Sequence, residues 1–198
     1  MNELMRRRRA LMAVKKESNI LFDWDYTEGL NSKINSVAAV SPTMGADGLL
    51  VSGGSDAFSA CAIAPNIDPI TVSYKATIDY ISLSSAGSDC AVGFWHYNNY
   101  AKRTRVYRQK VGGNDVTRFV NASNTNTAIQ LPLSNQGTIV IEYDSTANKI
   151  KYTQGSNSYE ASIDTPSEPT LQARIVNAQK GSSVNASVKI THIKIERV

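Results

Sequence analysis

The most ligand-like part of the sequence is an aromatic and amide-rich stretch near the middle of the chain. Phe94 to Tyr100 reads FWHYNNY, and basic residues follow it closely. Sugar sites combine a flat apolar ring with amide and guanidinium hydrogen-bond donors, and this stretch supplies both. The glycan-site residues that we predict are Trp95, Tyr97, Asn98, Asn99, Tyr100 and Arg103. One alternative stays open, in which Trp95 and Tyr97 are core residues and Asn98-Asn99 is a turn.

Residue types suited to catalysis or to metal binding are present but not grouped. His96 and His192 lie in different predicted strands, so ordinary strand positions are our interpretation of both. Five oxygen-bearing residues that could bind calcium are scattered among separate turns. They are Asp47, Asp56, Asp89, Asn114 and Asp115. We therefore assign no catalytic residue, no metal site and no cofactor, and we predict a protein that is not an enzyme.

The charge of the chain is concentrated at its N-terminus. Of 21 Lys and Arg residues and 17 Asp and Glu residues, residues 1–17 hold six and two, which leaves 15 of each sign in residues 18–198. The formal net charge of +4 thus belongs to the first segment alone. A neutral body disfavours a broad nucleic-acid surface, and the arginine run is the one place where nucleic acid could bind.

Residues 1–17 form a separate unit, which we call the arm. The arm contains no glycine or proline, and its apolar residues share one helical face, so we predict a short amphipathic helix that orders on a partner. The residues that would anchor it are Leu4, Met5, Arg6, Arg7, Arg8, Arg9, Leu11 and Met12. A lipid- or phosphate-binding arm and a solvated tail are the alternatives.

Targeting signals and cysteines place further limits on the protein. The apolar run 10–14 after the arginines is shorter than the ~7 to 15 residues of a signal peptide, so we expect no secretion by that route. No stretch approaches the ~20 apolar residues of a membrane helix. Cys61 and Cys90 could pair in an oxidising compartment, but we expect them to be reduced.

After the arm, the hydrophobic pattern changes to the period of two that half-buried strands require. The clearest run is 70–80, in which apolar and polar residues alternate. The predicted strands are 20–26, 49–52, 58–63, 70–80, 91–97, 104–109, 116–121, 138–144, 149–153, 159–163, 171–176 and 184–195. The apolar parity changes between Ile190 and Ile193, which predicts a β-bulge. This pattern predicts one all-β domain at 18–198, a two-sheet antiparallel jelly-roll sandwich.

Strand order and punctuation resemble a known superfamily. The residues concerned are Gly48-Leu49-Leu50-Val51-Ser52-Gly53, the strand Ile70 to Leu83, the hairpin from Thr138 to Tyr152 and the closing strand Ile190 to Val198. Over Ile20 to Val198, this order resembles the concanavalin A-like lectin/glucanase jelly roll, including laminin-G-like domains. The resemblance implies ligands on a concave face or on edge loops. The glucanase branch carries Glu-x-Asp-x-x-Glu, whereas Glu142-Tyr143-Asp144-Ser145-Thr146-Ala147 lacks the final carboxylate.

The first residues, Met1 to Met12, also resemble the start of some bacteriophage structural proteins. The resemblance implies a non-enzymatic virion component, assembled in the bacterial cytoplasm, whose arm binds other virion or scaffold proteins. We expect a homo-oligomer or part of a larger assembly, with glycans as a further partner. The alternatives are a free carbohydrate-binding module and, third, a glycoside hydrolase.

Overall fold

The described part of the chain is built of fifteen β-strands and one turn of 3-10 helix at Tyr26–Glu28. The computed structural model describes residues 19–36, 41–52, 60–66, 72–84, 90–97, 104–111, 113–120, 126–128, 133–162, 170–177 and 186–198. The strands are β1 (Ile20–Asp25), β2 (Ile34–Ser36), β3 (Thr43–Gly45), β4 (Gly48–Ser52), β5 (Ala60–Pro65), β6 (Tyr74–Ser84), β7 (Cys90–Tyr97), β8 (Thr104–Val111), β9 (Asn114–Val120), β10 (Asn126–Ala128), β11 (Gly137–Asp144), β12 (Lys149–Gln154), β13 (Asn157–Ser162), β14 (Thr170–Asn177) and β15 (Ser187–Arg197).

The strands form two antiparallel sheets. Sheet A has the order β13-β12-β11-β6-β15-β4-β3, and β1 pairs with β15 beside this path. Sheet B has the order β10-β9-β8-β7-β14-β5-β2. Hairpins of consecutive strands alternate with pairings between distant strands, such as β6 with β15 and β7 with β14, as expected for a jelly roll. The prediction of a two-sheet all-β sandwich is confirmed.

The core lies between the inner faces of the two sheets. Sheet A contributes residues such as Tyr74, Ile78 and Ile141, and sheet B contributes Val92 and Phe94, all buried in one cluster. Each strand supplies every second residue, because successive side chains on a strand point to opposite faces. The residues of the other parity therefore form two outer faces, one for each sheet.

All twelve predicted strands are present, with shifted ends. The strand predicted over 70–80 is β6, which begins at Tyr74, and Val72 lies before it with 36% of its surface exposed. The pairing of β15 with β6 changes register between Ile190 and His192, so the predicted bulge is confirmed. The short strands β2, β3 and β10 were not predicted, because three residues are too few to show a period.

Tyr26 was predicted to extend the first strand but lies in the 3-10 turn. Asp25 ends β1 by accepting a hydrogen bond from the Thr27 amide at 2.9 Å, and the Glu28 side chain accepts one from the Asp25 amide at 3.2 Å. This reciprocal pairing is a capping box, which satisfies backbone donors that the strand no longer uses.

The two cysteines are too far apart to bond. Cys61 pairs with Ile175 and Cys90 with Asn177, on strands that lie on opposite sides of β14. Two strand spacings, roughly 10 Å, separate their backbones. A disulfide spans at most about 7 Å between Cα atoms. The register therefore excludes a bond between Cys61 and Cys90.

Two further predictions concern helices. The arm at 1–17, with its predicted helix and anchoring residues, lies outside the described residues. Within the described ranges, the chain has no helix that is both long and apolar enough to span a bilayer.

Candidate functional site

The predicted glycan-site residues fall at the end of β7. Trp95 is described, whereas the Tyr97 side chain and residues 98–100 and 103 lie outside the described part. Val92 and Phe94 belong to the core, so Trp95, of the other parity, lies on the outer face of sheet B. Its ring is only 1% exposed. A ring this buried cannot offer a flat surface to a sugar, and Trp95 acts instead as a support for its neighbours.

Trp95 supports an arginine. Its ring stacks on that of Tyr107, with centroids 6.2 Å apart and an interplanar angle of 17°. The guanidinium carbon of Arg105 lies 5.0 Å from the Tyr107 ring centroid and 5.9 Å from that of Trp95. Cation–π attraction at such distances contributes about 0.5–2 kcal/mol and holds the planar guanidinium in one orientation.

Strand register explains why these side chains meet. Trp95 pairs with Arg105, and in the next row Gly93 pairs with Tyr107. A Cβ atom on Gly93 would collide with the Val106 carbonyl oxygen and lie 2.5 Å from the Tyr107 Cα. Glycine at 93 therefore leaves the space that Tyr107 occupies on this face.

A second arginine extends the same face. Arg118 on β9 pairs with Tyr107, and its half-buried side chain has an Nε that makes no hydrogen bond within the described ranges. On the other side of Gly93, Arg174 is the pairing residue on β14. We call Trp95, Arg105, Tyr107, Gln109 and Arg118 the arginine–aromatic face.

Acidic residues are missing from the described outer positions of this part of sheet B. On β7, β8 and β9, the outer positions whose side chains are described are Gly93, Trp95, Arg105, Tyr107, Gln109, Val111, Asn114, Val116 and Arg118. None of these outer positions carries a carboxylate. The arginine–aromatic face is thus positively charged at its strand positions, and it suits a ligand with negative charge and many oxygen acceptors.

The outer face of sheet A differs, because its charges alternate. One row across five strands consists of Glu196, Lys75, Glu142, Lys151 and Glu160. Opposite charges directly across a sheet attract each other. The charges on this face therefore largely neutralise each other, and the face attracts a charged ligand less strongly.

The residues nearest to a glucanase motif lie on the outer face of sheet A. Glu142 and Asp144 line a groove of about 380 Å³ with Lys149, Lys151 and Glu160. The Lys149 ammonium lies 2.8 Å from Glu160, and the Lys151 ammonium lies 3.8 Å from Glu142. The two groove lysines thus pair with two of its carboxylates, which makes the groove a set of ion pairs rather than an acid–base pair.

Asp144 ends its strand, as the sequence predicted for a hairpin tip. Its carboxylate accepts hydrogen bonds from the amides of Thr146 at 2.8 Å and Ala147 at 2.9 Å. The bonds from Ala147 and Thr146 lower the pKa of Asp144. Asn148 completes the turn in the left-handed region, with φ of 50°.

The two histidines have opposite environments. His96 is 1% exposed inside the core, and its Nδ1 lies 2.6 Å from the Tyr74 hydroxyl. Desolvation lowers the pKa of His96 to about 3, so it is neutral at physiological pH. His192 lies on the outer face of sheet A between Asp23 and Asp79.

Of the residues considered for calcium, Asp47 forms an ion pair with a lysine. Its carboxylate lies 2.9 Å from the Lys189 ammonium. Asp56 and Asp89 are outside the described residues. Across the described part of the chain, no three acidic, histidine or cysteine side chains converge as metal ligands.

Sequence reasoning included Arg105 only among the basic residues that follow the ligand-like stretch, and it missed Tyr107 and Arg118. Arg105, Tyr107 and Gln109 share one parity in the predicted strand 104–109, which was a weak signal for one polar face. The other parity holds Thr104 and Arg108 beside Val106. The signal was not decisive, because either face of a strand can be the outer one until its partner strands are known.

Comparison with known proteins establishes the fold. No protein-family model matches the sequence, and no curated protein is significantly similar to it. The carbohydrate recognition domain of Emp47p is similar in structure, with a TM-score of 0.59 and 12% identity over 92% of this chain and 96% of that domain. The alginate lyase from Alteromonas sp. 272 has a TM-score of 0.57 and 12% identity over 87% and 96%. The Crh5 transglycosylase has a TM-score of 0.59 and 10% identity over 89% and 84%.

These likenesses show that the chain has the concanavalin A-like, lectin-like jelly-roll fold, as the sequence predicted. They also correct one prediction. We predicted a protein that is not an enzyme. The comparisons contradict that prediction, because proteins of this fold include a transglycosylase and an alginate lyase. The fold permits catalysis as well as binding.

Proposed function

We propose that this protein binds an acidic polysaccharide on the arginine–aromatic face of sheet B. The observation that carries the proposal is the Arg105 guanidinium held against two stacked rings, Trp95 and Tyr107, on a face whose described outer positions on β7 to β9 include no carboxylate. A guanidinium binds a carboxylate or sulfate through two parallel hydrogen bonds, and a fixed orientation reduces the entropy lost on binding.

The arrangement of the face supports an extended ligand. Arg118 and Arg174 flank Tyr107 and Gly93 in one row, and the four strands concerned span roughly 14 Å at the usual strand spacing. The Gln109 side chain, one row further along β8, adds amide groups for hydroxyls. Four of the predicted glycan-site residues, Asn98, Asn99, Tyr100 and Arg103, lie in the sequence between β7 and β8, outside the described residues.

Similar proteins add support at the level of ligand class. One is a carbohydrate recognition domain and another is an alginate lyase, so polysaccharides are ligands of proteins with this fold. The charge of the ligand is inferred from the arginines of this chain and not from those proteins.

The experiment compares two polymers with the same sugar backbone, polygalacturonate and its uncharged methyl ester, by isothermal titration calorimetry. We expect binding to the acidic polymer and at least tenfold weaker binding to the ester. Arg105→Lys, which keeps the charge but loses the planar stack, and Arg118→Ala should each weaken binding roughly tenfold, about 1.4 kcal/mol.

Lys151→Ala, on the outer face of sheet A, is the matched control and should leave the affinity within about twofold. Equal binding of both polymers, or unchanged affinity in both arginine variants, would overturn the proposal. Release of new polysaccharide chain ends, measured in the same samples, would add catalysis to binding.

A second proposal concerns assembly. The concentration of basic charge in residues 1–17 supports a role as a bacteriophage virion component, in which the arm binds other virion or scaffold proteins and the sandwich faces outward. The test is sedimentation of the intact chain with virus particles. Loss of co-sedimentation on deletion of residues 1–17 is expected, and unchanged co-sedimentation would refute anchoring by the arm.

A further inference from the structure

A second cluster of titratable groups, unrelated to the arginine–aromatic face, lies on the outer face of sheet A. The bulge in β15 places His192 on this outer face, in register with Asp79 on β6 and Asp25 on β1. If Thr191 were paired as a regular strand residue, strict alternation from Ile190 would turn position 192 inward. The bulge therefore places the His192 side chain on the same face as the aspartates of β1 and β6.

His192 contacts a carboxylate with each ring nitrogen. Its Nε2 lies 2.7 Å from Asp23 Oδ1, and its Nδ1 lies 3.3 Å from Asp79 Oδ2. The Thr138 hydroxyl on β11 donates a hydrogen bond to Asp79. A continuous polar connection thus links four strands in the order β1, β15, β6 and β11.

Only a protonated histidine satisfies this geometry. A neutral imidazole donates through one nitrogen and presents a lone pair at the other, which would face a carboxylate. Partial burial by itself lowers the pKa of His192, but the hydrogen bonds that its ring donates to Asp23 and Asp79, together with the charges of both carboxylates, raise the pKa above its ordinary value.

Within the described residues, the other charged groups near this cluster lie on β1, on β15 and after the 3-10 turn. The charge of Asp25 on β1 interacts with that of His192, and the charge of Lys194 on β15 interacts with that of Asp23. The Lys194 ammonium is itself bonded to Glu196 at 2.8 Å. Lys33, after the 3-10 turn, donates to the Asp23 carbonyl at 3.0 Å and pairs with Glu28. Both lysines are thus already paired with glutamates, which leaves His192 as the cation shared by Asp23 and Asp79.

The strand held by this contact is at an edge. In the described part of the chain β1 pairs with β15, and the inner side of β1 covers the core with Phe22 and Trp24. Trp24 is fully buried, and its indole nitrogen donates to the Gly29 carbonyl at 3.1 Å. Loosening of β1 would therefore expose a tryptophan.

We propose that Asp23, His192 and Asp79 form a pH-dependent latch that holds β1 onto sheet A when the histidine is protonated and loosens as it loses its proton. The sign follows from linkage. The stabilisation is complete below the ordinary histidine pKa of 6.5 and is lost as pH rises through the higher pKa of the folded state.

Amide hydrogen exchange of the intact protein tests the latch. After correction for intrinsic exchange rates, the protection of β1 amides should fall by up to about tenfold for each pH unit between 6.5 and the higher pKa of the folded state, and it should level off above that pKa, since one unit corresponds to a tenfold change in an equilibrium. Amides of β12, distant from the cluster, should change little over the same range. Equal changes in β1 and β12 would indicate a global effect and overturn the proposal.

Three variants keep the test decisive. His192→Gln and Asp23→Asn should each lower the protection of β1 amides at pH 6 and remove its pH dependence. If either variant fails to fold, Asp79→Asn takes its place, with the same expected result. Lys189→Gln, on the outer side of the same strand β15, is the matched control and should retain the wild-type profile. A wild-type pH dependence in His192→Gln would refute the latch, because His96 has a pKa of about 3 and cannot supply it.

Discussion

At the scale of single residues, the two histidines couple the fold to pH in opposite directions. His192 gains two carboxylate partners and its pKa rises, whereas His96 is desolvated and its pKa falls to about 3. His96 is stacked on Tyr74, with centroids 5.8 Å apart, and its Nε2 makes no hydrogen bond within the described residues. The folded core therefore keeps His96 neutral at a pH where the unfolded chain would protonate it.

This difference predicts acid destabilisation caused by His96. As pH falls below 6.5, the unfolded state binds a proton that the folded state does not, so the free energy of unfolding should fall by up to about 1.4 kcal/mol per pH unit. His96→Phe should remove this slope at a constant cost of about 1–3 kcal/mol for the lost Tyr74 hydrogen bond. Urea unfolding between pH 5 and 7 measures both quantities.

His192→Gln is the control for that experiment and should keep the acid slope. A His96→Phe protein that loses stability between pH 7 and 5 as steeply as the wild type would contradict the assignment.

At the scale of elements, the centre of sheet A contains two compensating irregularities. Between Lys189 and Ile190 the register shift leaves Ile81 of β6 unpaired, and between Ile190 and His192 it leaves Thr191 of β15 unpaired. Thr191 lies between the stretch of β15 that pairs with β4 and the stretch that pairs with β1. Thr191 is thus an extra residue that takes no part in the strand pairing of β15.

Deletion of Thr191 should therefore be tolerated. The remaining sequence places Ile190 and Ile193 inward by simple alternation, and we expect a loss of no more than about 2 kcal/mol, including the hydrogen bond from Thr191 to the Asp79 carbonyl at 3.2 Å. Thermal unfolding followed by circular dichroism measures the change.

Deletion of Thr77 in β6 is the matched control, because Thr77 pairs regularly with Lys194 and Val140. Its removal would turn Ile78 and Tyr80 outward and Asp79 into the core. Each apolar side chain loses about 1.5–3 kcal/mol of burial, and the buried charge adds to this, so we expect an unfolded protein. If the deletion of Thr191 destabilises the protein as much as the deletion of Thr77, Thr191 is not a dispensable residue.

At the scale of the whole molecule, the two outer faces have different electrostatic characters. The outer face of sheet A pairs its charges across strands, as in Glu142 with Lys75 and Lys151. The described outer positions of β7 to β9 in sheet B carry arginines and no acid. A neutral body can therefore still direct an anionic ligand to one side.

This asymmetry predicts a salt effect. Raising NaCl from roughly 50 to 500 mM should weaken binding of polygalacturonate about tenfold or more, because the screening length falls below the spacing of the arginines. The Arg118→Ala protein should show a smaller salt dependence than the wild type in the same titrations. Lys75→Ala, in the charge-paired row of sheet A, should keep the wild-type dependence. Binding that is insensitive to salt would mean that the arginines do not contact ligand charge.

The sequence by itself determined twelve of the fifteen described strands and the β15 bulge. Alternation at Phe22 and Trp24, or at Ile78 and Tyr80, is a local property, because side chains on a strand point to opposite faces whatever lies beside them. The change of parity between Ile190 and Ile193 was visible for the same reason. Strand number and turn spacing also indicated a two-sheet sandwich, and the lectin-like fold followed from the resemblance in strand order and punctuation.

Only the tertiary structure decided which strands lie together and which face is outermost. Trp95 alternates as a core residue would, yet it supports Arg105 on the outer side of sheet B. Asp23 and His192 meet although 169 residues separate them. Strand pairing depends on which distant segments bury each other's apolar side chains, and no local period records that choice.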